Sequence, residues 1–366
     1  MRVFEELTKE DHEQVVFCSD KETGLKAIIA IHNTTLGPAL GGCRIWPYES
    51  EEAALRDVLR LSRGMTYKSA AAGLNLGGGK SVIIGDAKNI KSEKLFRVFG
   101  RFVQTLGGRY ITAEDVGTSV QDMEWVRMET NFVTGISRTF GGSGDPSPLT
   151  AFGVYQGIRA ALTWHLGSDS LEGKTVAVQG VGQVGFALLQ HLIPAGAKVI
   201  AADVDERNIK RVVAEYPAVQ FVAPNYVYDV PCDIFAPCAL GGVVNDDTIP
   251  RLRCQIIAGS ANNVLADEGK HSADLADRGI LYAPDFVINA GGLINVANEL
   301  VGYERKQALR QVTGIYDIVM RIFQIAKEEN ITTQKAAKTL AERRIYNLGR
   351  IKHTYVGIPM LKRSRV

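Results

Sequence analysis

One glycine pattern constrains the fold more than any other feature of the sequence: it lies in "VAVQGVGQVGFALLQHL". The apolar, β-branched start of this stretch predicts a strand, and the residues after Gly185 have the apolar pattern of a helix. Gly180, Gly182 and Gly185 occupy the turn between the two. The run "VIAAD" then places Asp203 about 20 residues after the motif, at the end of the next predicted strand. The region is therefore predicted to be a strand–turn–helix–strand unit of a parallel sheet.

This unit has the arrangement of a dinucleotide-binding loop. The glycines permit a tight turn, close approach of a pyrophosphate and close helix–strand packing, and the helix N-terminus offers free amides to the phosphates. The expected cofactor-binding residues are Gly180, Val181, Gly182, Gln183, Val184, Gly185, Asp203 and Val204. A carboxylate at Asp203 favours NAD over NADP, although Arg207 is near enough to keep NADP open. A glycine turn without a cofactor is the alternative, and the surrounding pattern argues against it.

The sequence around this unit predicts two domains. Short apolar runs alternate with helical stretches through the second half, which is typical of a parallel sheet with helices on both faces. The glycine- and proline-rich segment "FGGSGDPSPLT" is the best linker candidate. We therefore expect an α/β substrate-binding and catalytic domain at 1–140 and a doubly wound, Rossmann-type domain at 141–330. A long helix is expected at about Glu304–Glu329, and a helical tail at 331–366 is expected to join the first domain.

The first half predicts an α/β domain as well. Two β-type runs, "EQVVFCSD" and "LKAIIAIHNT", are followed by a helix that begins after Ser50, a plausible N-cap, and ends near Met65. The segments "SVIIGD" and "RYITAEDVG" predict further strands, separated by the amphipathic helix "KSEKLFRVFGRFVQTLGG".

The run "GGGKS" at 77–81 has the appearance of a nucleotide hydrolase's phosphate loop. That loop requires a glycine five positions before the one that precedes the lysine, and Leu74 stands there. It must also open a helix, whereas "SVIIGD" predicts a strand. A phosphate loop is therefore excluded.

Lys80 has a different use in these surroundings. Burial between glycines and an apolar strand favours the neutral amine, and Lys68 in the same cleft would add repulsion, so Lys80 is a candidate general base. Asp115, which follows a strand in "ITAEDVGT" beside Glu114, is a candidate partner in proton transfer. The competing interpretations are surface cations for the two lysines and a turn or capping carboxylate for Asp115.

Seven segments together resemble the amino-acid dehydrogenase superfamily, the Glu/Leu/Phe/Val dehydrogenases, over nearly the whole chain. They are "GPALGGCR", "GMTYKSAAAGLNLGGGKSVIIGD", "YITAEDVGT", "GDPSPLTAFGV", "VQGVGQVG", "CDIFAPCALGGVVN" and "YAPDFVINAGGLINVANE". The most similar branch is that of the leucine dehydrogenases. The resemblance implies reversible, NAD-dependent oxidative deamination of an L-amino acid to a 2-oxo acid and ammonia, in an active-site cleft between the two domains.

The resemblance also implies roles for individual residues. Lys80 is expected to be the base that deprotonates the attacking water, Lys68 to bind the substrate carboxylate and Asp115 to assist proton transfer. Gly41 and Gly42 are expected to bring the backbone close to the substrate. The residues expected to contact the nicotinamide, the substrate or the rest of the cofactor are Thr150, Cys238, Ala239, Ala261, Asn262 and Asn289.

The same comparison places Leu40, Ala113, Leu293 and Val296 around the substrate side chain. These residues are apolar, so a substrate carboxylate would be left unpaired, which disfavours glutamate. Leucine is preferred, with valine and isoleucine as further substrates. Leu293 departs from the valine usual in leucine enzymes, so a phenylalanine or tryptophan dehydrogenase is the alternative. A non-catalytic NAD-binding regulator is a more remote alternative, because Lys68, Lys80 and Asp115, the residues expected to take part in catalysis, are all present.

Composition limits the remaining function classes. With 42 basic and 40 acidic residues, the chain offers no general attraction to nucleic acid or an anionic membrane. No apolar run has the length of a membrane span, and the N-terminus lacks a signal-peptide core. The five scattered cysteines predict a reducing compartment, and no Cys/His cluster has zinc spacing. We expect a cytoplasmic protein without a metal, and the resemblance implies a homo-oligomer, often an octamer.

Overall fold

The computed structural model describes residues 2–351, which form two compact units. The first unit contains the chain up to Asp145, the segment Asn295–Arg305 and the C-terminal part that begins at Ala341. The second contains Pro146–Ile294 and Lys306–Leu340. Among the described residues no helix is long and apolar enough to cross a membrane.

The observed units differ in detail from the predicted division. The chain first changes unit between Asp145 and Pro146, within the glycine- and proline-rich segment. Asn295–Arg305, predicted to belong to the second domain, belongs to the first unit. One reason lies in Glu299, whose carboxylate accepts hydrogen bonds from the backbone N–H groups of Gly135 (3.0 Å) and Ser143 (2.8 Å) of that unit.

The first unit is built on a five-stranded mixed sheet with the order β1-β2-β4-β3-β5. Strands β3, β4 and β5 are parallel, while β1 and β2 are antiparallel to their neighbours. The strands are β1 (Gln14–Asp20), β2 (Leu25–Asn33), β3 (Ala39–Trp46), β4 (Gly77–Ile84) and β5 (Tyr110–Glu114). The helices are α1 (Val3–Lys9), α2 (Glu51–Ala71), α3 (Ala87–Ile90), α4 (Glu93–Thr105) and α5 (Val120–Arg127).

Helix α2 covers one face of this sheet. Ser50 caps it by accepting a hydrogen bond from the N–H of Ala53 (3.1 Å), and its apolar residues pack on strands β2 and β4. The helix continues beyond its predicted end at Met65 to Ala71, so Lys68 lies in its last turn rather than after it. The apolar pattern fades there because the packing uses small groups: a Cβ on Gly78 of β4 would stand 2.1 Å from the N atom of Thr66.

The opposite face of the sheet is covered by α4 and α5. Their apolar side chains form a fully buried cluster with residues of the sheet, which includes Phe96, Phe99, Tyr110, Met123 and Val126. This sheet face is therefore sealed by aromatic and aliphatic packing.

The second unit contains a six-stranded sheet with the order β11-β10-β9-β6-β7-β8, and every registered strand pair is parallel. In chain order this is 3-2-1-4-5-6, the doubly wound arrangement, so the predicted Rossmann-type fold is confirmed. The strands are β6 (Thr175–Gln179), β7 (Lys198–Ala202), β8 (Gln220–Phe221), β9 (Ile234–Pro237), β10 (Ile256–Ile257) and β11 (Leu281–Tyr282).

The remaining helices follow the linker segment. They are α6 (Ser147–Leu166), α7 (Gln183–Leu192), α8 (Glu206–Glu215), α9 (Glu268–Asp277), α10 (Asp285–Ile288), α11 (Gly291–Ala297), α12 (Arg305–Thr313), α13 (Ile315–Glu329) and α14 (Thr333–Gly349). Four 3₁₀ segments complete the described elements: Arg138–Phe140, Pro224–Asp229, Ile249–Arg251 and Asn298–Val301. The predicted long helix at 304–329 is thus two helices that meet at Gly314, a poor helix former.

The second half of α14 is bound to the first unit. Arg344 donates to the carbonyl oxygens of Leu74 (2.6 Å) and Gly73 (3.0 Å), and Tyr67 donates to Glu342 (3.1 Å). These bonds hold α14 to the loop after α2. Residues 352–366 of the predicted tail helix lie outside the described residues.

Candidate active site

The residues of the first unit that are predicted to transfer protons lie on the sheet face that α2 covers. Side chains alternate between the two faces of a strand, so Lys80 shares the face of Gly78 and Val82 of β4, which pack against α2. Arg44 of β3 is on the same face, because its guanidinium reaches Asp57 of α2. Since β3, β4 and β5 are neighbours, residues far apart in the sequence meet here.

Lys80 and Asp115 form a close ion pair at the centre of this face. The Nζ of Lys80 lies 2.7 Å from one oxygen of Asp115, and Arg44 donates to the other oxygen at 2.9 Å. Lys80 is 5% exposed. Burial alone would raise the pKa of Asp115, but the charges and hydrogen bonds of Lys80 and Arg44 outweigh it and lower this pKa to about 2. Asp115 is therefore an ionised acceptor held by the side chains of Lys80 and Arg44.

Arg44 and Asp57 connect the ion pair of Lys80 and Asp115 to α2, and the sequence did not predict either of them. Arg44 also donates to Asp57 at 3.0 Å, and Asp57 accepts further hydrogen bonds from Tyr48 (2.7 Å) and Arg60 (3.0 Å). The segment "GPALGGCR" contained the signal for Arg44. If Leu40 of a strand faces the site, the period of two places Arg44 on the same face.

Glu114 and Asp115 are adjacent but lie in different environments. Glu114 is half-buried, and burial together with the negative charges of Asp145 and Glu299 raises its pKa to about 7. It makes no ion pair with Lys80, whereas Asp115 does. The structure therefore selects Asp115 from this pair as the partner of Lys80.

The glycines around the lysine make the sheet unusually close-packed. A Cβ on Gly41 would lie 1.7 Å from the carbonyl oxygen of Gly79, and one on Gly42 would lie 2.8 Å from the Cβ of Asp115. A Cβ on Gly79 would stand 2.7 Å from the ring of Tyr110, whose hydroxyl donates to the carbonyl of Gly41 at 2.6 Å. Contacts within the protein alone therefore require glycine at these positions.

The other predicted substrate residues are distributed over four elements. Leu40 of β3 and Ala113 of β5 are buried at 1% and 6% exposure. Lys68 is half-buried in the last turn of α2. Both Val296 and Leu293 are 7% exposed in α11, the first in unit one and the second in unit two.

The glycine loop of the second unit connects β6 to α7. Gly180 has a φ of 90°, and a Cβ there would lie 2.6 Å from the Cβ of Ala239; a Cβ on Gly185 would lie 2.1 Å from the carbonyl oxygen of Gly180. A Cβ on Gly182, in contrast, would meet nothing within 4 Å. Two glycines are therefore required by the protein's own packing, and the middle one leaves open space where a pyrophosphate would approach the helix N-terminus.

Asp203 lies beside this loop as the sequence predicts. One of its oxygens accepts from the N–H of Val181 at 2.7 Å, and the other accepts from the N–H of Asp205 at 2.8 Å. Arg207 is paired with Asp205 at 2.7 Å, and Val204 is 88% exposed. The carboxylate of Asp203 thus has no cationic partner among the described residues.

The remaining cofactor candidates follow the strands on the other side of the sheet. Cys238 and Ala239 follow β9, Ala261 and Asn262 follow β10, and Thr150 lies early in α6, with its hydroxyl where a Cβ on Gly292 would be. Asn289 donates to the carbonyl of Ser260 (3.1 Å) and to the side chain of Asn262 (2.9 Å), but its own buried Oδ1 accepts nothing from the described part of the chain. A buried acceptor without a donor fits a ligand amide such as the nicotinamide carboxamide.

One group of possible metal ligands exists elsewhere in the second unit. Ligand atoms of Asp246, His271 and Asp274 lie within 4.8 Å of one another. The ammonium of Lys270 already contacts Asp246 and lies 3.8 Å from Asp274. Because this cation neutralises both carboxylates, the group carries no assignment of a metal site.

Comparison with known proteins shows the family of the chain. The family "Glu/Leu/Phe/Val dehydrogenase, dimerisation domain" matches residues 12–132, and "Glutamate/Leucine/Phenylalanine/Valine dehydrogenase" matches 141–207 and 203–350. The chain belongs to this dehydrogenase family. Membership confirms the resemblance seen in the sequence, makes the chain an amino-acid dehydrogenase and implies a nicotinamide cofactor.

Individual members of the family are similar over almost their full length. Leucine dehydrogenase from Thermoactinomyces intermedius is 58% identical over 97% of both chains, and leucine dehydrogenase from Geobacillus stearothermophilus is 57% identical over 100% of both. The crystal structure of L-tryptophan dehydrogenase from Nostoc punctiforme has a TM-score of 0.83 at 50% identity, covering 95% of this chain and 99% of that one.

Proposed function

We propose that the protein catalyses the reversible, NAD-dependent oxidative deamination of an apolar L-amino acid, preferably leucine and also valine and isoleucine, to the 2-oxo acid and ammonia. The observation that carries this proposal is the buried contact of 2.7 Å between Lys80 and Asp115, beside Arg44 on the sheet face that α2 covers. The family's leucine dehydrogenases, with identities up to 58%, support leucine as the substrate.

The first unit supplies the proton-transfer groups. Lys68 binds the substrate carboxylate. Once the α-hydrogen has left as hydride the substrate is an imine, and Lys80 in its neutral form removes a proton from the water that adds to the imine carbon. The resulting tetrahedral intermediate expels ammonia and leaves the 2-oxo acid. Asp115 stays ionised and accepts hydrogen bonds from the cations around it, so it orients Lys80 and stabilises the protonated lysine once the proton is taken. Burial keeps competing water away from the amine. A bound nicotinamide would supply the acceptor for the hydride that leaves the α-carbon.

The second unit supplies the cofactor site, and its charges favour NAD. Asp203 would accept hydrogen bonds from the ribose hydroxyls of the adenosine. A 2′-phosphate would meet this carboxylate, and the nearby Arg207 is occupied by Asp205. The expected binding residues on the far side are Thr150, Cys238, Ala239, Ala261, Asn262 and Asn289.

The residues that the resemblance places around the substrate side chain favour an apolar substrate. Leu40, Ala113, Leu293 and Val296 are all buried and carry no charge that could pair with a substrate carboxylate. A second candidate is an aromatic substrate, because an L-tryptophan dehydrogenase is 51% identical and a phenylalanine dehydrogenase 50% identical to this chain. One methylene in such a pocket discriminates by only about 1–3 kcal/mol.

The decisive experiment follows NADH formation with purified protein, NAD+ and a panel of L-amino acids. Leucine should give the highest kcat/KM, with valine and isoleucine next and glutamate inactive. A preference for phenylalanine or tryptophan would replace leucine by the second candidate. Absence of turnover with every apolar amino acid would overturn the proposed reaction.

We also propose a cytoplasmic homo-oligomer. All five cysteines are free thiols, and three of them are buried, as expected in a reducing compartment. Light scattering of the purified protein tests the assembly, for which the family resemblance implies an octamer.

A further inference from the structure

Arg211 contacts the glycine loop from the side of α8. Its guanidinium donates to the carbonyl oxygens of Val181 (2.9 Å) and Gly182 (3.1 Å) and to the side chain of Gln183 (3.3 Å). Three consecutive residues of the loop are therefore bound by one side chain that is 28–30 positions away in the sequence.

These contacts help to set which way two peptide groups of the loop face. The carbonyl of Gly182 also accepts the first helical hydrogen bond of α7, from the N–H of Phe186 (2.9 Å). In a trans peptide the C=O and the following N–H point in opposite directions. Because Arg211 holds the carbonyls of Val181 and Gly182, the N–H groups of Gly182 and Gln183 face away from the guanidinium. Neither N–H has an acceptor in the described part of the chain, and the Cβ position of Gly182 is open.

The position of Arg211 is itself well determined. Its guanidinium carbon lies 4.0 Å from the centre of the Phe186 ring, and its Nε is buried without a hydrogen-bond partner among the described residues. It forms no ion pair with any described carboxylate. Because this guanidinium binds two backbone carbonyls of the loop instead of a carboxylate, its hydrogen bonds constrain the conformation of the loop.

We propose that Arg211 is a positioning residue for the cofactor: by binding the carbonyls of Val181 and Gly182 it aims the N–H groups of Gly182 and Gln183 at the pyrophosphate of the dinucleotide. This inference rests on the proposed function, since it takes the ligand of the loop to be NAD. It adds a residue outside the glycine motif to the determinants of cofactor affinity.

The test compares Arg211→Met with Lys210→Met. Both variants remove one positive charge from neighbouring positions of α8, but Lys210 is 79% exposed and contacts Glu206 rather than the loop. Titration calorimetry with NAD+ on the full-length protein gives the readout, independently of turnover. Arg211→Met should weaken NAD+ binding by about 10- to 100-fold, and Lys210→Met by less than about 2-fold, because only the first loses oriented amide–phosphate bonds.

A second ligand and a conservative variant separate orientation from charge. Adenosine lacks the phosphates, so its binding should change by less than about 3-fold in Arg211→Met. Arg211→Lys keeps the charge, but one ammonium cannot reproduce the contacts of Nη2 with both carbonyls together with those of Nη1 with Gln183 and of the planar group with Phe186, so it should weaken NAD+ binding nearly as much as methionine does.

Three results would overturn the inference. They are wild-type NAD+ affinity in Arg211→Met, equal losses in the two methionine variants, or full retention of affinity in Arg211→Lys. Thermal unfolding without ligand identifies a variant that has lost its fold, in which case Arg211→Lys decides alone. Failure of the wild-type protein to bind NAD+ would instead contradict the proposed function, so the two failures are distinguishable.

Discussion

The two units present their charged and hydrogen-bonding groups in different ways. In the first, Lys80, Asp115, Arg44 and Asp57 form a chain of side-chain ion pairs on one sheet face. In the second, the glycine loop presents backbone amides whose orientation depends on packing and on Arg211. Side-chain groups can exchange protons, whereas backbone amides can only donate hydrogen bonds. The first arrangement is suited to chemistry and the second to binding, so substitutions in the two regions should affect different measurements.

The largest effect is expected at Lys80. Lys80→Ala removes the amine that contacts Asp115 and is the proposed base, so kcat should fall by at least about 10³-fold. NAD+ affinity, measured by calorimetry, should stay within about twofold of the wild type, because the cofactor loop belongs to the other unit. Substantial residual turnover would show that another group is the base.

Substitutions at Gly182 and Gly185 should have different effects, the first on NAD+ binding and the second on stability. Gly182→Ala should fold normally, because its Cβ position is open, and should weaken NAD+ binding by about 10-fold or more through steric conflict with the phosphates. Gly185→Ala should lower the free energy of unfolding by about 2 kcal/mol or more, because its Cβ would lie 2.1 Å from the Gly180 carbonyl oxygen. Thermal unfolding measures the stability of both variants, and calorimetry measures their NAD+ affinity. A Gly185→Ala variant that folds normally would contradict the prediction.

A smaller effect on the chemistry is expected from Arg44. In Arg44→Met one of the two cations on Asp115 is lost, so the pKa of Asp115 should rise from about 2 toward its ordinary value. Asp115 would then interact with Lys80 alone and favour the charged ammonium more strongly. We expect kcat to fall by about 10-fold and the acidic limb of the kcat/KM profile to move to higher pH. Arg44→Lys should retain part of the activity that Arg44→Met loses. An unchanged pH profile in Arg44→Met would contradict the prediction.

The smallest effect is on stability and involves Glu114. Its pKa of about 7 in the folded protein lies above its ordinary value of 4.5, so the folded state binds the proton more tightly and loses stability as the pH rises through this window. Glu114→Gln should therefore stabilise the protein at pH 8, by about 1 kcal/mol after allowing for solvent screening, and change little at pH 4.5.

The matched control for Glu114 is the exposed turn residue Glu22. Glu22→Gln should show no such pH-dependent difference in thermal unfolding. If Glu114→Gln destabilises the protein equally at both pH values, the carboxyl has a structural role and the unfavourable charge environment does not dominate.

Local features of the fold were predictable because their causes are local. The strand–glycine–helix unit at Gly180 and the cap at Ser50 depend on residues a few positions apart, and both occur where the sequence places them. Helix ends that depend on distant packing were not predictable. The extension of α2 to Ala71 relies on contact with Gly78 of β4, which no short window of sequence contains.

The sequence by itself determined the family, the doubly wound second sheet and the candidate residues Lys80, Lys68, Asp115 and Asp203. These features follow from motifs and from the order of predicted strands and helices along the chain. Only the tertiary structure decided which carboxyl partners Lys80, that Arg44 completes the ion pair and that Arg211 binds the glycine loop. These contacts join residues separated by 71 and 30 positions, respectively. Which of many charged side chains meet across such distances depends on strand register and helix packing rather than on local sequence.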